Sequence, residues 1–469
     1  MSRFPLFGVE QTGKSTRVTA QERINVYAEP RPEEDRTRMS FHQRPGLAAF
    51  KVGGSLPARG MHAVGDLIYV VRGDTLYSLD NAATETAIDT IGTSTGRVDM
   101  TDNGAEILIV DGTATGYIYD IAGDTLTPIT DNGEDFFPGA DTCGFQGGRF
   151  LVNKPDTGEF YISASYDGTT WDALDFATAE SFPDDLVRVY VEQGEVILFG
   201  ETSLEAWSNI GALDFPYARI DGSTVEWGLA ARWSVASFGN TIAWLAKNRT
   251  GQVQVVRLNG YVPQVISNPE FDGIINGYNS VSGTTGHTFT AAGHTFYVLN
   301  FPDPEVTWAF DLQSGLWSKF EYAALGARHR AEISEQFINK TIVSDYANGN
   351  LYSVDAELYT DNGVGCARQL QSRHIFNEEF ITVGRLWVDM QTGVGMQTGN
   401  SSDPQLMLQV SKDGGSTWGP ERWSDMGKIG VFGTRTVWRR LGRAYEWTFR
   451  IRNADDVKFA LAGAWVDAG

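Results

Sequence analysis

From about residue 60 to residue 355 one unit recurs: a short apolar strand, a turn of Gly, Asp or Asn, and a second strand rich in aromatics. It reads as LIYVVRGDTLYSLD, EILIVDGTATGYIYDI, RFLVNKPDTGEFYIS, VILFGETSLEAWS, TIAWLAKNRTGQVQVVRL, HTFYVLNFPDPEVTWAFDL and TIVSDYANGNLYSVD. With Ile68, Ile107, Phe150, Val196, Ile242, Phe296 and Ile342 as markers, the steps are 39, 43, 46, 46, 54 and 46 residues. A hairpin at this loose period is the sequence form of a β-propeller blade. No such blade buries both faces alone, so stacking in a ring is the physical solution. A pair of β-sandwiches with regular hairpins is the alternative. Seven occurrences predict about seven blades, with six as the other admissible count. The 52 Gly, 13 Trp, 17 Tyr and 26 Phe suit an all-β chain, because aromatics favour strands and glycines the tight turns between them.

The flanks differ from the repeat. Residues 1–55 are polar and irregular, carry the mixed-charge run RPEEDRTR, and close near RPGL at Arg44–Leu47; they read as an extended arm laid on the C-terminal domain or on neighbours. Within the arm, TAQERINVYAE is the one candidate for an amphipathic helix. The propeller is expected over 56–357. Over 358–469, FITVGRLWVDM, PQLMLQVS, YEWTFRIR and VKFALAGAWVD alternate around turns and predict an antiparallel β-sandwich-like domain of ordinary size.

Charge bounds the function. The 59 Asp and Glu against 37 Lys and Arg give −22. A protein that gains affinity from counterion release needs a cationic surface, so this balance argues against a DNA or RNA binder. It permits DNA to pass, since an acidic wall repels the backbone. Cys143 and Cys366 are too few for a disulfide framework. No apolar run reaches membrane-spanning length and no signal-peptide core opens the chain, so a soluble product made in a cytoplasm is expected.

Several motifs bear on chemistry. GVEQTGKST matches the phosphate-loop pattern through Gly8, Gly13, Lys14 and Ser15. That loop works only when a buried parallel strand delivers it and a helix follows, converging N–H groups on phosphate. MSRFPLF is too short for such a strand and contains Pro5, so the match reads as accidental. SKDGGSTWG fits the Asp-box pattern through Ser411, Asp413, Gly415 and Trp418, and SYDGTTW from Ser165 to Trp171 is a near variant. In such a turn Asp accepts N–H bonds, Gly takes a positive φ and Trp packs beneath. Sialidases carry Asp boxes on propeller blades, so a carbohydrate-binding or glycan-cleaving propeller is the rival reading. The box, however, is a fastener. No carboxylate pair stands out for glycoside hydrolysis. The six histidines lack metal-ligand spacing, and no G-x-S-x-G elbow is present. Neither catalysis nor a metal or cofactor is expected. GTRTVWRRLGR concentrates Arg435, Arg439, Arg440 and Arg443 beside Trp438 in an acidic chain. It reads either as a charged sheet edge or as a docking surface for an acidic partner.

The chain also resembles the packaged-DNA stabilisation proteins of short-tailed phages, the tail hub or nozzle family. The resemblance rests on INVYAEP followed by RPGL, on NTIAWLAKNRTGQVQVVRLNGYVPQVIS followed by VTWAFDLQSGLWSKF, and on YTDNGVGCARQ, LWVDMQTGVG, PQLMLQVSKDGGSTWG and TVWRRLGR in that order. It touches most of the chain, and every motif is structural. His374 and Cys366 depart from the pattern without consequence. The resemblance implies a propeller-based virion subunit forming a ring, of six copies, below the portal and adaptor. Such a ring continues the DNA channel, meets tail spike, fibre or needle proteins, and retains the genome until ejection.

Overall fold

The computed structural model describes residues 2–8, 21–32, 38–131, 136–179 and 184–468. Each of the seven sequence markers falls in the second strand of a separate antiparallel unit, and each is at most 1% exposed. These second strands are sandwiched between neighbouring units on both faces, which is why they read as continuous apolar runs. The innermost strands are Ala58–Val64, Asp99–Asp102, Cys143–Gln146, Leu186–Glu192, Ala236–Ser237, Thr285–Ala291 and Ala331–Phe337. The last of these packs against the first and closes the ring. Six of the units are separate sheets. The remaining one, Thr285–Ala291 to Leu316–Tyr322, is the propeller's share of a fifteen-stranded sheet.

Closure uses the N-terminal segment. Strand Gly46–Lys51 pairs antiparallel with Leu351–Asp355 and becomes the outer strand of the final unit. A Cβ at Gly46 would meet the carbonyl oxygens of Thr360 and Leu358 at 2.5 and 2.6 Å, so only glycine fits. Four further stretches of this segment are strands among the described residues. Ser2–Pro5 pairs with Ala460–Ala468, Met39–Gln43 with both Val26–Pro30 and Ala460–Ala468, and Glu22–Ile24 with Arg368–Gln371. The expected helix in TAQERINVYAE is therefore corrected to two strands, Glu22–Ile24 and Val26–Pro30. Asn25 between them takes φ 56°, a left-handed conformation that Asn tolerates and that breaks helical continuity.

The C-terminal part is a β-sandwich built on two long paired strands, Ile375–Met390 and Thr436–Asn453. Its core includes Trp438, Leu441, Trp447, Phe449, Leu461 and Val466. Leu6, Phe7, Val26, Ala28, Met39 and Phe41 join the same core. The fifteen-stranded sheet runs from the propeller unit through Glu22–Ile24 into this sandwich.

At that junction Arg44 is buried against Asp361. Its Nη1 donates to Asp361 Oδ1 at 3.0 Å and to the Pro45 carbonyl at 2.9 Å. Nε donates to Asn25 Oδ1 at 2.8 Å, and Nη2 reaches the Glu321 carbonyl at 3.1 Å as well as Asp361 Oδ2. Burial alone would raise the Asp361 pKa, but the Arg44 charge and its hydrogen bonds outweigh it and lower it. One guanidinium thus joins the arm, the last blade and the link to the sandwich.

Candidate functional site

The basic ribbon separates by strand alternation. Trp438 is 4% exposed, sits in the sandwich core and donates from Nε1 to the Arg422 carbonyl at 2.9 Å. It therefore faces away from Arg435, Arg439, Arg440 and Arg443, which are exposed. None of these four has an ion-pair partner among the described residues. Arg440 takes φ 58° where the register shifts opposite Val383 and Arg385. Arg439 lies opposite Arg385, whose own charge is taken by Asp467. Arg443 lies over the Phe380 ring at 4.3 Å, and Phe380 stacks on Tyr445 at 3.9 Å. With Phe376 at 62% exposed, these rings form an arginine and aromatic patch. The sequence hid it because Phe376 and Phe380 stand some sixty residues before their neighbours.

The Asp box is a closed turn. Asp413 Oδ1 accepts from Ser411 Oγ at 2.6 Å and from the Thr417 N–H at 2.9 Å, while the Gly415 N–H donates to Ser411 Oγ at 2.8 Å. Gly415 takes φ 92°. The bonds from Ser411 and Thr417 hold the Asp413 pKa at about 2. Trp418 lies under the Arg450 guanidinium at 3.7 Å. In the near variant, Asp167 accepts from Thr169 and Thr170, and buried Trp171 donates to the Gly168 carbonyl. Both carboxylates are engaged in their own turns, which fits fastening rather than sugar chemistry.

Of the phosphate-loop match, Gly13, Lys14 and Ser15 lie outside the described residues. Gly8 is tied through its backbone to the Gln21 side chain, whose Nε2 donates to the Gly8 carbonyl at 2.7 Å. The strand before it, Ser2–Pro5, is antiparallel to its neighbour, unlike the parallel strand that a phosphate loop requires.

The axis of the propeller holds a cavity of about 490 Å³ lined from every unit. It is charged in two layers. His62 Nε2 is 2.7 Å from Asp102 Oδ2, and Nδ1 is 3.9 Å from Glu335. Burial disfavours the imidazolium, but its hydrogen bond to Asp102 and the nearby Glu335 carboxylate prevail and raise its pKa to about 9. One charged histidine thereby joins the first, second and last units. In the other layer Arg97 and Arg188 lie over the Trp233 ring at 5.3 and 5.1 Å. Arg188 Nη1 donates to the Arg232 carbonyl at 2.9 Å, and its Nη2 is 3.9 Å from Asp99. Arginines stand eight to ten residues before the second-strand marker in four repeats, at Arg59, Arg97, Arg188 and Arg232. That phase within the repeat is the signal that sequence reading passed over. Among the described residues no group of His, Cys, Asp or Glu is placed to hold a metal ion, and no helix is long and apolar enough to cross a membrane.

Comparison with known proteins follows the same division. A family model described as Bacteriophage P22 Gp10, beta-propeller, matches residues 2–359, and one described as Bacteriophage P22 Gp10, beta-sandwich, matches residues 367–469. The chain is 22% identical over 309 residues to the tail hub protein gp10 of Salmonella phage P22. That alignment spans 63% of this chain and 63% of the relative, less than two thirds of its length.

Proposed function

The chain belongs to the bacteriophage P22 Gp10 family, and from that premise we propose that it is a tail hub subunit, a structural protein of a phage virion. The observation that carries this reading is the order of parts: propeller then sandwich, matched consecutively over nearly the whole chain. Copies of the chain form a ring, six in number, below the portal and adaptor, with spike, fibre or needle proteins as further neighbours. The propeller (56–357, with Gly46–Lys51 closing its last unit) and the sandwich platform (358–469) are its two working parts, with the arm strands between Ser2 and Gln43 paired to the sandwich. It turns over no substrate.

The DNA conduit in this reading is the hole of the ring, not the axis of one propeller. An axial cavity of about 490 Å³ is far too small for a duplex whose major groove alone is about 12 Å wide. Net charge of −22 keeps the wall of the conduit from holding the DNA that slides past. The patch of Arg439, Arg440, Arg443, Phe380 and Tyr445 is the contact to a neighbouring copy or to the adaptor. Arginine and aromatic side chains are favoured anchors, and a head-to-tail ring needs such a patch on one side of each copy.

The test is retention. Particles assembled without this chain should fill with DNA and then lose it, leaving the genome sensitive to added nuclease. Adding the purified chain during assembly should restore protection. Particles that hold their DNA equally well without it would sink the proposal.

A further inference from the structure

The arginine layer of the axial cavity holds more positive charge than the protein matches. Arg97 has no hydrogen-bond or ion-pair partner among the described residues, and its guanidinium only rests over Trp233. Arg188 is 9% exposed, and its Nε has no hydrogen-bond partner. His287 lines the same cavity at 3% exposed, and neither ring nitrogen is partnered. Facing these groups are two acids. Glu332 is engaged by Arg328 at 2.8 Å and by Thr285 at 2.9 Å. Asp99 accepts the Cys143 N–H at 3.1 Å and reaches Arg188 only at 3.9 Å.

Cations held in a confined cavity with few partners are costly, and proteins rarely keep them idle. Burial lowers the Arg97 pKa against the opposing charges of Glu332 and Asp99, with Arg188 lowering it further, while burial and then Arg97 push His287 to about 3. An anion among these groups would offset the charge of Arg97 and give the His287 ring a partner. A cavity of about 490 Å³ lies within the usual ligand range of about 300–1,000 Å³. Trp233 lies within cation–π range of both guanidiniums, and the Arg97 N–H groups and the Arg188 Nε–H remain for an oxygen ligand.

We propose that this axial cavity binds a small oxyanion, a phosphate or a carboxylate, between Arg97 and Arg188 beside Trp233. The oxyanion accepts charge-assisted hydrogen bonds from the two guanidiniums and one from neutral His287. It acts as a pin at the centre of the propeller, joining the second, fourth and sixth units across the axis through Arg97, Arg188 and His287. The site is independent of the ring contacts and of DNA retention.

Titration calorimetry of the full-length chain, with inorganic phosphate in one arm and citrate in the other, tests this directly. At least one should bind saturably at one site per chain and raise the Tm; which one does identifies phosphate or carboxylate. Arg97→Gln and Arg188→Gln should each weaken binding about ten- to a hundredfold, whereas Arg439→Gln on the outer ribbon should not change it. Arg188 also supports the Arg232 carbonyl, so Arg97→Gln is the decisive variant if Arg188→Gln fails to fold. No binding of either anion at millimolar concentration would overturn the proposal. So would unchanged affinity in folded Arg97→Gln.

Discussion

Arg44 shows at the residue scale how this fold is tied together. It stands in RPGL, a stretch that sequence reading treats only as the end of an arm. Yet its fork satisfies Asn25, Pro45, Glu321 and Asp361 together. Removing one member of a buried ion pair costs about 3–5 kcal/mol, because the other is left charged and unpaired. Arg44→Met should lower urea-unfolding stability by about that amount, and Arg44→Met with Asp361→Leu should recover part of the loss. His62 makes a second prediction through pH. Its pKa rises on folding from 6.5 to about 9, so the folded state binds the proton more tightly. The resulting stabilisation, up to about 3 kcal/mol, is fully present below pH 6.5 and is lost as pH rises through 9. His62→Gln should flatten stability across that window when melting is followed against pH. An equal decline in the variant would assign the pH dependence to other groups.

At the scale of elements, the second and third strands of each blade were legible and the first and fourth were not. Middle strands are buried on both faces, so Ile107–Val110 and Phe150–Val152 are uninterrupted apolar runs. Innermost strands line a polar axis, and outer strands such as Glu85–Thr90 are half exposed and look like loops. The closing strand Gly46–Lys51 was illegible because its partner lies three hundred residues away. Gly46→Ala should drive a methyl into the Thr360 and Leu358 carbonyls and cost about 1–3 kcal/mol, read from thermal melting. In the ribbon Thr436–Asn453 only YEWTFRIR reads as strand from sequence, and the charged cluster before it reads together with Trp438, which alternation sends into the core. The interface prediction therefore rests on the exposed arginines. Arg439→Glu with Arg440→Glu should leave circular dichroism and melting near those of the parent chain. Attachment to the tail should weaken, and the particles should leak DNA. Normal particles from that double variant would make the cluster a solvated sheet edge.

At the scale of the whole molecule, an all-β chain of −22 charge has its propeller and sandwich joined through one continuous sheet. That continuity makes the chain a rigid brick, since bending between the two parts would break ladder hydrogen bonds. A rigid subunit suits the structural role proposed for it. The family resemblance was legible from structural motifs spread along the chain, whereas the axial arginines were not, because their spacing is meaningful only once blades are superposed. The central claim is that this chain builds the tail. Its most direct test is a cryo-electron-microscopy map of the particle's tail. The account predicts copies of this propeller and sandwich arranged as a closed ring below the portal and adaptor. DNA should run through the ring's hole, and every propeller axis should lie off that path. A tail with no density for this chain, or with DNA threading the propellers themselves, would contradict it.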